Sequence, residues 1–330
     1  MHAMQKALVT GANGFIGSHL VDRLVSEGVS VRCLVRKTSR MQWLTHPHVE
    51  LAFGELLDQG SLQQAVTGID TVFHLGGKTK AATREDYFQA NATGTKNLLH
   101  AVMRNSRRLK RFVYVSSQAA AGPGSEERPV RETDPPHPVT PYGQSKLAGE
   151  AAVMEFSSEM PVTVIRPPSV FGPRDKDLFK FFKMIHLGIR PRLGWKQRFF
   201  SIVYIEDLVE GLMHAARSEK AIGQIFFVNT EDRLSWQDFG TTVARVFGKT
   251  SIPLVVPVTA FLGFVVLNDF VCNLTGKSTI LNRSKIPEFL PRYWITDSTK
   301  ARIELGVAPK HELSECIRKT VEWYTNRGWL

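Results

Sequence analysis

Thr10-Gly11-Ala12-Asn13-Gly14-Phe15-Ile16-Gly17 follows directly on the apolar run Ala7-Leu8-Val9. A strand that runs into closely spaced glycines and then an amphipathic helix leaves unpaired backbone N–H groups at a helix N-terminus. Backed by the helix dipole, that arrangement binds a diphosphate. Far downstream, Tyr142-Gly143-Gln144-Ser145-Lys146 is preceded by Val115-Ser116-Ser117. A Tyr and a Lys four apart share one helix face, so the ammonium can stand beside the phenol. A phenol titrates near ~10 unaided, and a neighbouring cation lowers that value. A phosphate cradle with an activated Tyr reads as nicotinamide-dependent hydride transfer.

Around the glycine turn, short β-branched runs alternate with helical patterns. Ala7–Val9, Val29–Val35, Val49–Phe53, Thr71–Leu75, Arg111–Ser116 and Val162–Ile165 read as strands, with helices over Gly17–Glu27, Ser61–Val66 and Ala90–Arg104 between them. Such alternation predicts an α/β chain built on a Rossmann-type, doubly wound parallel sheet, whose ligands sit at the carboxyl ends of the strands. After Pro173 the pattern changes to a helix-like piece, Asp175–Arg192, and a basic, aromatic loop, Gly194–Phe200; Ser201–Asp207 and Gln224–Asn229 then read as a return to the sheet. We therefore expect a dinucleotide-binding domain over 1–172 and 201–230 and a smaller, interleaved substrate-binding lobe over 173–200 and 231–330.

The 330 residues suffice for a large core, and 43% hydrophobic with 22% charged content is that of a soluble globular protein. Cys33, Cys272 and Cys316 are scattered without metal or redox spacing, and the first strand begins at about Lys6, leaving no room for a leader. Both features predict a cytoplasmic protein without a metal. The net charge of +11 lacks a compact Lys/Arg run with interleaved aromatics, so no nucleic-acid partner is expected. Its densest cluster, Arg104–Arg111, is accounted for by a helix C-terminus. The longest apolar segment, Ile252–Leu267, carries Pro253 and Pro257 and is shorter than the ~20 residues that span a bilayer. It reads as a buried helix or the wall of a lipophilic pocket, with a peripheral membrane contact through 252–267 as the alternative.

An NAD site usually has a carboxylate about twenty residues past the glycines, on the ribose 2′-hydroxyl. That place holds Val35-Arg36-Lys37-Thr38-Ser39-Arg40, and a guanidinium suits a 2′-phosphate. NADP(H) is therefore favoured, with NAD(H) as the other candidate.

Several ordered motifs extend the pattern: Gly54-Glu55-Leu56-Leu57-Asp58, Phe73-His74-Leu75-Gly76-Gly77, Asn91-Ala92-Thr93-Gly94-Thr95 and Arg166-Pro167-Pro168-Ser169-Val170-Phe171-Gly172-Pro173. With the glycine turn and Tyr142–Lys146, the chain resembles the extended short-chain dehydrogenase/reductase superfamily over nearly its whole length. It looks most like the 3β-hydroxysteroid dehydrogenase and dihydroflavonol reductase-like group. The resemblance implies a cofactor site made of Gly11, Asn13, Gly14, Phe15, Ile16 and Gly17, with Leu56 and with the carboxylate of Asp58, or of its neighbour Glu55, by the adenine. Leu75, Gly76 and Gly77 would line the cofactor, joined by Asn91 and Ser116, with Tyr142 and Lys146 at the nicotinamide ribose and Pro167 and Val170 over the nicotinamide end. Gly76-Gly77 stands where Ala-Ala is more usual, and Phe171 where Tyr is common.

The resemblance also implies a catalytic set. Ser117 would hydrogen-bond the substrate oxygen, Tyr142 would transfer the proton, and Lys146 would lower the Tyr pKa and bind the ribose. His74 reads as a satisfied core histidine, Asp207 as a helix cap in preference to a loop-orienting group, and Trp236 as core with Ser235 capping its helix. Gln118 and Ala119 follow Ser117, so the acidic pair of sugar dehydratases is missing. The expected activity is alcohol–ketone oxidoreduction on a lipophilic, steroid- or flavonoid-like substrate, the late region Ile252–Leu267, Asn273–Lys277 and Leu281–Lys285 suiting that group. A nucleotide-diphosphate-sugar 4-epimerase, gripping its diphosphate with Arg190, Arg192, Lys196 and Arg198, is the alternative; a non-catalytic NAD(P)-binding sensor is a third reading. Family practice implies a homodimer through the helix that carries Ala148, Ala151, Ala152 and Val153.

Overall fold

The computed structural model describes residues 4–106, 108–126, 128–275 and 283–330. Arg107, Gly276-Lys277 and Leu281-Asn282 from the stretches singled out above lie outside the described residues.

Six strands alternate with helices in the first half: β1 (Lys6–Thr10), β2 (Ser30–Val35), β3 (Val49–Phe53), β4 (Thr71–His74), β5 (Arg111–Val115) and β6 (Val162–Arg166). Three more, β7 (Ser169–Phe171), β8 (Ile189–Leu193) and β9 (Phe199–Tyr204), precede β10 (Gln224–Phe227), which rejoins the central sheet. That sheet has seven strands in the order β3-β2-β1-β4-β5-β6-β10, every pair parallel. The order reverses between β1 and β4, which opens a crevice at their carboxyl ends. β4, β5 and β6 are buried throughout, as continuous apolar strands covered on both faces must be.

The flanking helices in the first half are α1 (Phe15–Ser26), α2 (Gln59–Val66), α3 (Arg84–Phe88), α4 (Gly94–Asn105), α5 (Gln118–Ala121) and α6 (Pro141–Glu155). Further on come α7 (Phe179–His186), α8 (Ile205–Arg217), α9 (Trp236–Val246), α10 (Val258–Thr275), α11 (Ile286–Phe289) and α12 (Leu313–Asn326). One core joins Leu20 and Leu24 of α1 to Leu208 and Leu212 of α8; the other, across the sheet, joins Leu62 of α2, Leu98 and Val102 of α4 and Val153 of α6. No described helix is long and apolar enough to cross a membrane.

Four local expectations are corrected. Asp175–Arg192 is not one helical piece: α7 ends at His186, Gly188 takes a left-handed φ of 84°, and β8 follows with Pro191 inside it. Ser201–Asp207 does not rejoin the central sheet. Its strand β9 pairs with β7, β11 (Glu231–Ser235) and β13 (Tyr293–Trp294) in a separate sheet, while Asp207 sits in the first turn of α8. Asp207 is no cap either: its carboxylate accepts from the Thr230 hydroxyl at 2.6 Å and the Lys310 N–H at 3.0 Å, tying two loops to the helix. Finally, Ile252–Leu267 is not a buried helix. It forms β12 (Ile252–Val256), paired in parallel with β8, and the first half of α10, and much of its apolar surface is exposed.

Other readings hold. Ser235 caps α9, accepting from the Asp238 N–H at 3.0 Å, and Trp236 stacks on Phe200 with ring centroids 4.1 Å apart. Within the basic cluster, Arg104 lies in the last turn of α4, and the buried Arg111 donates to the Ser218 carbonyl at the end of α8. Cys33 and Cys316 are free and buried.

Candidate active site

Gly11 sits at φ 70°, and a Cβ there would stand 2.9 Å from the Gly76 nitrogen and the Leu75 carbonyl carbon. Only glycine lets the turn after β1 press against the turn after β4. Gly17 is held closer still, its missing Cβ 2.2 Å from the Gly11 oxygen, which seats the start of α1 on the same turn. The first N–H groups of that helix have no carbonyl partner within it, and its N-cap Gly14 lines a cleft of about 550 Å³. Gly11, Asn13, Gly14, Arg36, Glu55, Leu56, Leu75, Gly76 and Gly77 line this cleft, and Thr10, Ser39, Gly54, Lys78 and Asp86 join them. A backbone-walled groove at a helix N-terminus, with an exposed Arg36 on its rim, fits a dinucleotide. Phe15, Ile16 and Gly17 form the first turn of α1, whereas Pro167 and Val170 lie in the turn after β6 and in β7. Asp58 caps α2 by accepting from the Gly60 N–H and does not line the cleft, whereas Glu55 and, from α3, Asp86 do.

Beneath the cleft runs a directional hydrogen-bond chain. The Gly76 N–H donates to Thr10 Oγ1 at 2.9 Å, and Thr10 in turn bonds His74 Nδ1 at 2.7 Å. His74 Nε2 meets Thr95 Oγ1 at 2.9 Å, and that hydroxyl donates to the Asn91 carbonyl at 2.8 Å. These partners assign the single ring proton to Nε2. Burial drives the His74 pKa down to about 3, with Lys146 adding to the effect, so it is the satisfied, neutral core histidine expected. The Asn91 side chain donates to the Lys78 carbonyl and to Ser145 Oγ, and accepts from the Lys78 N–H. Asn91 therefore joins the cleft wall to the helix that carries Tyr142.

α6 begins where Thr140 caps the Gly143 N–H and Pro141 occupies the first turn. Gly143 brings that turn against α5: a Cβ would lie 2.2 Å from the Ala119 oxygen. Gly149, one turn beyond Lys146, lets the helix approach Tyr114 Oη and the Asn91 carbonyl, 2.3 and 2.4 Å from its missing Cβ. Close approach brings the half-buried Tyr142 phenol beside Ser117, whose hydroxyl accepts from the Ala119 N–H at 3.2 Å. The Lys146 ammonium donates to the Val115 carbonyl at 2.7 Å and lies 4.3 Å from the Tyr114 ring centroid. Ser116 faces the other way, its hydroxyl bonded to Glu150, which forms a buried two-point pair with Arg166 at 2.9 and 2.6 Å.

The electrostatics carry one surprise. Burial raises the Tyr142 pKa above its ordinary value, the Ser117 hydrogen bond opposes this, and Glu288 and Tyr87 push upward again. The lowering expected from Lys146 is not supplied by the protein side chains. Lys146 itself is lowered to about 7 by burial, partly opposed by Glu150.

Three neighbours of Tyr142, namely Lys285, Glu288 and Tyr87, are marked by no motif in the sequence. Lys285 Nζ lies 4.3 Å over its ring centroid, and Glu288 pairs with Lys285 at 3.6 Å while accepting from the Thr140 hydroxyl at 2.7 Å. Tyr87, buried on α3, has its ring centroid 6.0 Å from that of Tyr142. Gln118, beside Ser117, is buried with both side-chain polar atoms unpartnered, as is the Tyr87 hydroxyl. Among the described residues no group of His, Cys, Asp and Glu is placed to hold a metal.

Known proteins match this architecture. The chain is similar to a ceramide reductase of Caulobacter vibrioides, 28% identical over 324 residues that cover 98% of this chain and 95% of that protein. It is 30% identical over 265 residues to a 3-beta-hydroxysteroid dehydrogenase of Mycolicibacterium neoaurum, covering 74% of this chain and 70% of the other. The crystal structure of a UDP-glucuronic acid 4-epimerase from Bacillus cereus, in complex with UDP-glucuronic acid and NAD, superposes with a TM-score of 0.78 at 23% identity, covering 98% and 100% of the two chains. Residues 7–228 match the NAD dependent epimerase/dehydratase family, and the matched span contains the glycine turn, the cleft and Tyr142–Lys146. This chain belongs to the NAD dependent epimerase/dehydratase family and is an oxidoreductase-type enzyme that uses a nicotinamide dinucleotide.

Proposed function

We propose that this protein interconverts a secondary alcohol and a ketone on a lipophilic substrate, with NADP(H) as its cofactor. The carrying observation is that the close approach of α6 sets the Tyr142 phenol against Ser117, with the ammonium of Lys146 buried one turn further along the same helix. The dinucleotide, when bound, supplies or accepts the hydride. The proton falls to the chain's own residues. Ser117 holds the substrate oxygen, and Tyr142 exchanges the proton at its Oη as charge develops on that oxygen. A phenol raised by burial is protonated at neutral pH, so the resting site is set to donate to a forming alkoxide. Lys146, titrating near 7, places a positive charge at the ribose end of the cleft, where an anionic dinucleotide would favour its charged form. Arg36 on the rim supports a 2′-phosphate.

The lipophilic reading has two supports. The ceramide reductase and the hydroxysteroid dehydrogenase both bear names of apolar substrates. The arginines proposed to grip a nucleotide diphosphate are engaged elsewhere: Arg190 with the Thr241 hydroxyl, Arg192 with the Trp195 carbonyl, and Arg198 with the carbonyls of Leu193, Leu290 and Pro291. We also propose a homodimer through α6, on a reduced face: Ala148 and Ala151 reach the surface, but Ala152 and Val153 are buried in the chain's own core. The test is NADPH consumption by the purified protein against ketosteroids, long-chain keto lipids, flavanonols and nucleotide sugars. Turnover of an apolar ketone is expected. Turnover of nucleotide sugars alone would overturn the substrate class.

A further inference from the structure

β8 and β12 form a two-stranded parallel ribbon in which Ile189 lies beside Ile252 and Pro191 beside Leu254. One face of the ribbon packs inward, since Arg190 crosses over Gly240 to reach α9. The other face leaves Ile189, Ile252 and Leu254 exposed, with Leu187 just before it. The ribbon ends against α10: the Gly194 N–H bonds the Val256 carbonyl, and Gly194 lies against Val258. Trp195, the next residue, is 78% exposed.

α10 is two-sided in the wrong sense for a helix in water. Its inner side packs through Phe261 on Phe289 of α11, ring centroids 5.8 Å apart, and Val265 is fully buried. Its outer side carries Phe264, Leu267 and Phe270, which are 56%, 62% and 58% exposed. Spacings of three keep those side chains on one face. An exposed apolar surface that runs across a ribbon, a tryptophan and a helix marks an interaction site.

Charge decides what covers it. Among the described residues, segments 178–198, 236–275 and 283–292, which build this part of the molecule, hold eleven Lys or Arg against three Asp or Glu, a net of eight positive charges. A second copy docking through the same face would set that charge against itself. An anionic bilayer would attract it while taking the apolar side chains below the headgroups, with Trp195 at the level where aromatic rings settle.

We propose that the outer faces of α10 and of the β8–β12 ribbon, with Trp195 between them, dock the protein peripherally on a membrane rich in anionic phospholipid. The inner side of α10 rests on the segment that carries Lys285 and Glu288 over Tyr142, so docking would bring the candidate active site to the bilayer surface. That consequence rests on the lipophilic-substrate reading; the docking itself does not.

The experiment is co-sedimentation with vesicles of phosphatidylcholine alone and of equal parts phosphatidylcholine and phosphatidylglycerol. The intact protein should pellet with the anionic vesicles and be released by salt. Replacing both Phe264→Ser and Leu267→Ser should reduce partition about tenfold or more without changing the melting temperature, since both side chains are already in water. Tyr142→Phe should lose turnover yet pellet like the unmodified protein, and an unmodified protein that pellets but turns over no apolar ketone would sink the substrate reading alone. An unmodified protein that stays in the supernatant at low salt would overturn the docking proposal. So would a double variant that pellets unchanged, or one that light scattering shows converted from dimer to monomer.

Discussion

The glycine-walled cleft and the α10 face satisfy their surroundings in opposite ways. Around the cleft, Gly11, Gly143 and Gly149 each sit where one added carbon would strike backbone or a buried hydroxyl. The polar groups beneath it, from Gly76 through Thr10, His74 and Thr95 to Asn91, bond one another in sequence. Along β12 and α10, Ile252, Phe264, Leu267 and Phe270 stand in water. The first region is over-determined by the chain's own contacts, so its geometry survives without a partner. The second has half of its contacts unmade, and its composition makes sense only beside something outside the chain.

Turnover offers the sharpest way to break that contrast. Tyr142→Phe should lower kcat by about 10³-fold and leave dinucleotide affinity near normal, because the phenol contributes a proton and little binding. Stopped-flow turnover with parallel calorimetry checks this, and a variant that keeps a third of its rate would remove Tyr142 from the reaction. Next in size is the cofactor end of the cleft. Arg36→Asp should reverse the preference for NADP(H) over NAD(H), shifting the ratio of the two dissociation constants by about tenfold or more, the worth of one charged hydrogen bond. Equal binding of both cofactors by the unmodified protein would show that Arg36 reads nothing.

Stability compares the two regions directly. Gly149→Ala forces a methyl into Tyr114 Oη and the Asn91 carbonyl and should cost about 1–3 kcal/mol in denaturant titration. Phe264→Ala on the outer face of α10 should stay within about 0.5 kcal/mol. Similar losses at both positions would mean that the outer face is packed after all.

The smallest effect is a fraction of a proton. Lys146 is lowered to about 7, so above that pH it is mostly neutral in the free protein. An anionic dinucleotide favours the charged form and raises that pKa, so binding at pH 8 should take up protons, and affinity should fall as pH rises from 7. Calorimetry in two buffers of different ionisation enthalpy measures the uptake, which Lys146→Met should abolish. Buffer-independent heats in the unmodified protein would place the titration elsewhere.

How legible each residue was follows from how local its constraint is. Gly11-x-x-Gly14-x-x-Gly17 and Tyr142-x-x-x-Lys146 repeat geometric requirements of one turn and one helix face, so spacing alone exposes them. The six strands β1 to β6 were legible because a sheet covered on both faces demands near-continuous apolar runs. Asp175–Arg192 misled because helical spacing does not register the left-handed Gly188 that ends α7. Ser201–Asp207 misled because β9 is as apolar as any strand of the central sheet, and only pairing partners say which sheet it joins.

The sequence by itself determined the nucleotide cradle, the doubly wound sheet and the Tyr and Lys that share a helix face, since each depends on residues within about one turn or strand. Tertiary structure alone decided that Lys285, Glu288 and Tyr87 surround Tyr142, that the Arg190–Arg198 loop spends its arginines on the protein's own hydroxyl and carbonyls, and that α10 turns aromatic side chains outward. Apart from the local bonds of Arg192 to Trp195 and of Arg198 to Leu193, those contacts join segments more than fifty residues apart, where no periodicity constrains the chain and only packing chooses which side chain meets which.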